Sequence, residues 1–136
     1  MANLYGLDAI GNAAYVKATG AGTNADPYVV QNDAFTSNLK SAFISSSSSA
    51  DVIAAVASTK LRVMSLVVTA ASGCTVKFQS GASTDKTPPF HIGANGNISI
   101  SNNLGLFESA SGEKINAVLS GTTTYTVFAS YREVPA

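Results

Sequence analysis

From residue 43 to residue 134 the chain repeats one pattern, in which short β-branched and aromatic runs alternate with clusters of Gly, Asn, Ser and Pro. Such runs favour β-strands, and such clusters favour the turns between them. About seven to nine strands at this spacing predict an antiparallel β-sandwich, with a jelly roll as the expected topology. We therefore expect an all-β domain over residues 41–136, preceded by an extended N-terminal arm over residues 1–40.

Four of the runs have a definite expected arrangement. "LRVMSLVVTA" (61–70) is apolar on both faces, which predicts a central strand that is covered on both sides. "CTVKFQS" (74–80), "GNISIS" (96–101) and "TYTVFASYREV" (124–134) alternate between apolar and polar residues. Each of these three is therefore expected to bury one face and to expose the other. Ile98 and Ile100 are expected to face inward in the second run. In the third, Phe128 lies on the face opposite Tyr125, Val127, Ala129 and Tyr131.

Turn residues predict how other runs connect. "PFHI" (89–92) follows a Pro–Pro pair, which confines it to a sheet edge or a connection. "LGLFES" (104–109) and "KINAVLS" (114–120) are separated by the turn signal "ASGEK", so they are expected to form a hairpin.

The first runs of the domain are "FIS" (43–45) and "DVIAAVA" (51–57). The second also fits a helix, because Val52, Ile53 and Val56 recur at helical spacing and Ser49 or Asp51 can cap its start. The neighbouring β-runs favour the strand interpretation.

The arm contains a G-x-G-x-x-A arrangement at Gly20, Gly22 and Ala25. A phosphate-binding loop of this type needs a strand before it and a helix that opens within it, and the sequence offers neither. The glycines are better interpreted as bends in extended chain. An arm without its own core gains stability by lying on another surface, such as a neighbouring subunit.

Charge and hydropathy exclude several classes of partner. Charged residues form 12% of the chain, and 8 Lys and Arg residues balance 8 Asp and Glu residues. The basic residues are scattered, whereas a nucleic-acid surface needs them clustered, so we expect no nucleic-acid partner. We also expect no membrane partner and no secretory signal, and hence synthesis in the cytoplasm.

The sequence offers little for catalysis. His91 is the only histidine, Asp85 is the one acidic residue near it in sequence, and the carboxylates are dispersed. Multi-His or Cys/His ligand spacing is absent from the sequence, so we predict no metal, no cofactor and no enzymatic activity. A Ser–His–Asp triad that assembles in space stays open as an alternative. Cys74, the only cysteine, is expected in the core as a small hydrophobic residue.

Three stretches carry a resemblance to a known class of protein. They are "VIAAVASTKLRVMSLVVTAASGCTVKFQSG", "HIGANGNISISNNLGLFESASGEKINAVLSG" and "YTVFASYREV". Together they resemble the small β-sandwich structural proteins of tailed bacteriophages, which are commonly jelly-roll decoration, or cement, proteins. The resemblance covers about two thirds of the chain, and its motifs are turn and core patterns.

The resemblance implies a structural virion protein on the outer surface of the capsid, where it cements the shell as an oligomer, with a homotrimer expected. The partners would be the major capsid protein and further copies of this chain. Tyr5, Tyr15, Tyr28 and Val29 in the arm are the candidate interface residues, because aromatic side chains dominate interface energies. A tail- or fibre-associated module that binds a receptor or glycan is the alternative.

Overall fold

The computed structural model describes residues 39–136 throughout and, before them, the backbone of residues 5–7, 13–15, 17–19 and 29–31. Across these ranges the regular secondary structure is entirely β-strand, which confirms the all-β prediction. The described part of the chain contains no helix that is long and apolar enough to cross a membrane.

The chain divides into two compact units, Met1–Ser37 and Asn38–Ala136. Among the described residues of the first unit, four short strands form two antiparallel pairs. They are β1 (Tyr5–Leu7) with β2 (Ala13–Tyr15), and β3 (Lys17–Thr19) with β4 (Val29–Gln31).

The second unit contains ten strands, of which two have only two residues each. They are β5 (Lys40–Ser46), β6 (Ala50–Ile53), β7 (Thr59–Ala70), β8 (Cys74–Ser80), β9 (Thr84–Asp85), β10 (Phe90–Ile92), β11 (Gly96–Ser101), β12 (Phe107–Glu108), β13 (Ile115–Ser120) and β14 (Tyr125–Pro135). Nine of the ten coincide with the runs identified in the sequence, and β9 is the additional strand, so the observed number exceeds the predicted seven to nine by one.

These strands form two antiparallel sheets. Sheet I has the order β10-β8-β13-β6, with β9 also paired to β8, and sheet II has the order β11-β7-β14-β5, with β12 also paired to β7. Among the eight longer strands, the first pairs with the last, the second with the seventh, the third with the sixth and the fourth with the fifth. This nested pairing, rolled into two facing sheets, is the connectivity of a jelly roll.

The core lies between the two sheets, and both contribute to it. The buried hydrophobic residues are Val52, Ile53, Leu61, Val63, Leu66, Val68, Ala70, Val76, Phe78, Ile92, Ile115, Ala117, Tyr125, Val127 and Ala129. Each large aliphatic or aromatic side chain among them stabilises the fold by about 1.5–3 kcal/mol relative to exposure. The Phe78 ring of sheet I stacks on the Phe107 ring of sheet II, with centroids 6.1 Å apart.

The strand β7 is central in its sheet, as predicted, but the expectation that both its faces are covered is wrong. Its outward-facing Val67 is 37% exposed. The pairing with β14 shifts register at Met64, so the buried positions change phase between Val63 and Leu66. Because the bulge shifts the buried positions by one residue, buried apolar residues occur at both odd and even positions of the run although they face one side of the sheet.

The hairpin expected from "LGLFES" and "KINAVLS" is also wrong. The strand β12 pairs with β7 in sheet II, whereas β13 pairs with β8 and β6 in sheet I. The segment between them therefore crosses from one sheet to the other, with Gly112 at a φ of 73°. Turn residues mark a change of direction, but they do not determine which strand receives the next one.

Other local predictions are confirmed. The strand β10 lies at the edge of sheet I, and "DVIAAVA" forms a strand over its first half with no helix. In β11 the side chains of Ile98 and Ile100 pack against the core, while Asn97, Ser99 and Ser101 are exposed.

Candidate interaction surface

Over residues 41–45, 65–69, 97–101 and 126–130, the side of sheet II that faces away from the core is a small-residue surface crossed by one row of bulky side chains. The strand registers align its twelve positions in three rows across β5, β14, β7 and β11. The rows are Ser41–Ser130–Ser65–Ser101, Phe43–Phe128–Val67–Ser99 and Ser45–Thr126–Thr69–Asn97. We call these twelve residues the outer face. Beyond its serine row, the same side of the sheet continues with Arg132 opposite Arg62.

Large exposed hydrophobic residues are concentrated on this side of sheet II. The described residues include five, and three of them lie in the middle row: Phe43 is 66% exposed, Phe128 47% and Val67 37%. A fourth, Leu39, precedes β5 in phase with Phe43, and the fifth, Leu104, lies on the loop between β11 and β12. A contiguous exposed apolar row with a polar border is typical of a protein-binding surface, whereas single exposed residues are not.

The hydroxyl groups that border this row bond to one another. Ser65 and Ser130 share a hydrogen bond between their side-chain oxygens, and so do Thr69 and Thr126. Each pair lies one row away from Phe128 and Val67. Because these hydroxyls already have partners within the sheet, covering them costs less desolvation free energy than covering unpaired ones.

The outer face carries no charge, since its twelve residues are Ser, Thr, Asn, Phe and Val. The ion pairs of the described residues all involve side chains outside it. They are Lys40–Glu133, Arg62–Glu108, Lys77–Asp85 and Lys114–Asp51. A neutral surface of this composition is unsuited to phosphate groups and suited to another neutral protein surface.

The structure does not bring together the two residues that the sequence offered for acid–base or metal chemistry. His91 stands opposite Thr75 on β8, and Asp85 stands opposite Gln79 on the same strand. Four residues of strand separate those positions, or roughly 14 Å. Among the described residues, no three His, Cys, Asp or Glu side chains cluster as metal ligands would.

Asp85 instead takes part in a local surface network. Gln79 Nε2 donates to its carboxylate at 2.7 Å, and Lys77 Nζ donates to it at 3.0 Å. The Gln79 hydrogen bond, followed by that of Lys77, lowers the pKa of the Asp85 carboxyl below its ordinary value. These contacts tie β9 to β8, and they leave His91 out.

A serine–carboxylate pair that the sequence did not predict lies elsewhere. Ser80 is 1% exposed, its hydroxyl donates to Glu113, and the same oxygen accepts the Ala110 N–H at 2.8 Å. Because the oxygen is buried and used twice, it holds the crossover between the sheets and offers no nucleophile to solvent. The sequence indicated the burial of Ser80 only by its position. Ser80 follows Val76 and Phe78 at every second residue, on the side of the strand that faces the core.

Cys74 also lacks the environment of a reactive residue. It is half-buried against the core, as expected of a small hydrophobic side chain. Burial raises the pKa of its thiol, which lowers the thiolate fraction at neutral pH.

Three of the predicted arm anchors lie in described strands. Tyr5 and Tyr15 stand opposite each other in the β1–β2 pair, and Val29 begins β4. Tyr28 lies outside the described residues. The same is true of the glycine motif at positions 20–25.

Fold and surface together define an all-β jelly-roll domain with a neutral, apolar-centred outer face. Comparison with protein-family models, with curated proteins and with solved structures finds no match to this chain. Its role must therefore be inferred from the fold and from this face.

Proposed function

We propose that the chain is a structural virion protein that binds the outside of a tailed-phage capsid and stabilises the shell as an oligomer. The observation that carries the proposal is the outer face, where exposed Phe43, Phe128 and Val67 lie in one row among uncharged side chains and leave a surface that a protein partner can cover. The jelly-roll connectivity agrees with the resemblance of the core stretches to phage decoration proteins. The same resemblance implies that the oligomer on the shell is a homotrimer.

Such a protein works by mass action. A ligand that binds only the assembled shell lowers the free energy of that state by its binding free energy, and many copies multiply the effect. In this proposal the major capsid protein is the partner, and Tyr5, Tyr15, Tyr28 and Val29 supply its apolar contacts. The described residues contain no clustered catalytic groups, and we propose no enzymatic activity. Replacement of His91 by alanine is then expected to change neither shell binding nor stability.

The proposal is tested by mixing the full chain with heads assembled from the major capsid protein of the virus that encodes it. Protein that sediments with the heads is measured against free protein. Simultaneous alanine substitution at Tyr5, Tyr15, Tyr28 and Val29 should abolish binding, whereas Leu104→Ala, which removes an exposed apolar side chain elsewhere, should not. Equal binding by the fourfold variant would refute the role of the arm, and no binding by the wild type would refute the proposal.

The second candidate function is a tail- or fibre-associated module that binds a receptor or glycan. One observation favours it. A depression of about 350 Å³ at one end of sheet II is lined by Thr69, Ala70, Ala71, Asn95, Gly96, Asn97, Thr124 and Thr126. Hydroxyl and amide groups of this kind hydrogen-bond to sugars. Saccharide binding by the isolated protein, together with no affinity for heads, would favour this candidate over the first.

A further inference from the structure

We infer that the outer face is the site at which a second copy of this chain binds, so that two copies pack sheet II against sheet II around a two-fold axis. This inference rests on the proposed function only in that the chain associates with itself. It departs from the homotrimer, which the resemblance alone supplies, and assigns a dimer to the free protein. It concerns the free protein, and its main test uses no shells.

The first argument is electrostatic. In a two-fold interface each copy contributes the same patch, so a patch with a net charge meets its own charge and is repelled. The twelve residues of the outer face carry no charge at all. Since a face without charges meets no repulsion from its own copy, this surface is compatible with self-association.

The second argument is shape. The bulky row Phe43–Phe128–Val67 crosses three strands as a ridge, and a row of small residues lies on each side of it. Rows on one sheet face are about 7 Å apart, and packed sheets lie about 10 Å apart. When two outer faces meet, the ridge of each copy can therefore lie over a small-residue row of the other. The Ser65–Ser130 and Thr69–Thr126 hydrogen bonds in those rows lie within the sheet, so they are kept when the rows are covered.

The third argument concerns strength and symmetry. Four strands by three rows span roughly 19 by 20 Å, so a face-to-face pair buries about 800 Å² in total. Stable interfaces bury about 1,200–2,000 Å², so this contact is weak in free solution. A trimer closed by a head-to-tail contact needs two different patches on each copy, whereas one apolar face suits a dimer. The free protein is thus expected to form dimers and not trimers.

The test is sedimentation equilibrium of the full chain between roughly 10 µM and 1 mM, the range where a contact of this size dissociates. The wild type should fit a monomer–dimer equilibrium. Phe43→Ser and Phe128→Ser should each weaken the dimer about tenfold or more, because each change removes an aromatic contact on both copies. The control Leu104→Ser makes a matching apolar-to-polar change on the loop between β11 and β12, and it should leave the dimer unchanged. Amide shifts of Val67 and Ser99 that follow concentration provide a second readout.

A wild-type chain that stays monomeric to the highest concentration would overturn the inference, and so would a trimer. A dimer that weakens no more with Phe128→Ser than with Leu104→Ser would overturn it as well. If the wild type is monomeric and Phe128→Ser loses shell binding, the face belongs to the capsid contact: the inference then fails while the proposed function stands.

Discussion

Phe43 on β5 and Phe128 on β14 lie directly opposite each other across an antiparallel strand pair, and both side chains are exposed on the same side of sheet II. A cross-strand aromatic pair contributes about 0.2–1 kcal/mol to the sheet relative to alanines. Phe43 is still 66% exposed and Phe128 47%. A larger gain, at about 25 cal/mol per Å², is available only when a partner covers them.

We expect Phe43 and Phe128 to be dispensable for folding. Phe43→Ser and Phe128→Ser should each change the free energy of unfolding by less than about 1 kcal/mol, because their rings lie outside the core. Phe78→Ala, which empties a fully buried site, should cost about 3–5 kcal/mol. Denaturant unfolding at low protein concentration compares the three variants. A large loss from either serine variant would mean that the outer face stabilises the monomer.

Among residues 39–136, Tyr125 is the largest fully buried side chain, and its hydroxyl donates to the Ser48 carbonyl oxygen at 3.1 Å. Tyr125→Phe keeps the ring and removes that bond, so it should lower the free energy of unfolding by about 0.5–1.5 kcal/mol. Tyr125→Ala should cost about 3–5 kcal/mol through the cavity it leaves. A phenylalanine variant as damaging as the alanine variant would contradict the separation of the two effects.

Gly81 and Gly112 form a matched pair for testing the crossover between the sheets. Both have left-handed backbone, with φ of 64° and 73°, but only at Gly81 would a Cβ atom meet a neighbour, the Glu113 carboxylate at 3.0–3.2 Å. Gly112→Ala should cost about 1 kcal/mol from backbone strain alone. Gly81→Ala should cost about 1 kcal/mol more, because the Ser80 hydroxyl holds the carboxylate in place. Equal losses, measured by thermal unfolding, would mean that Glu113 moves aside freely.

The Asp85 network predicts a pH dependence of stability. The pKa of Asp85 is lowered in the folded protein, first by Gln79 and then by Lys77, so its contribution is present above the ordinary value of 3.8. That contribution is lost as the pH falls through the folded-state pKa. The difference in unfolding free energy between wild type and Asp85→Asn should therefore shrink below pH 3.8. Gln79→Ala should reduce the loss of unfolding free energy that the wild type shows as the pH falls. An unchanged pH dependence would contradict the assignment of Gln79 as the main cause of the lowered pKa of Asp85.

Much of this fold could be predicted from local pattern. The alternation in β8, β11 and β14 identified which side chains face inward, because strand side chains point to opposite faces in turn. The same reasoning placed Phe128 on the face that proves to be outward. It did not reveal that Phe43, Phe128 and Val67 form one row, since that row depends on the register of strands far apart in the chain.

The two wrong predictions, the covered faces of β7 and the hairpin of β12 with β13, also depend on pairing between strands. The bulge at Met64 and the crossover after Glu108 are set by which strands pair, and local composition does not determine pairing. The Ser80–Glu113 contact was missed because its two residues meet only after the sheets have packed. Turn chemistry and periodicity describe each strand, whereas the candidate site arises from neighbours across the sheet.

The most direct test of the central claim is the temperature at which filled heads release their DNA, measured by dye fluorescence with and without saturating protein. If the chain cements the shell, saturation should raise that temperature, because binding to the intact shell alone stabilises it by mass action. The fourfold variant at Tyr5, Tyr15, Tyr28 and Val29 should give no increase at the same concentration, and Leu104→Ala should give the full increase. A release temperature that is unchanged when wild-type protein coats the heads would contradict the proposed function.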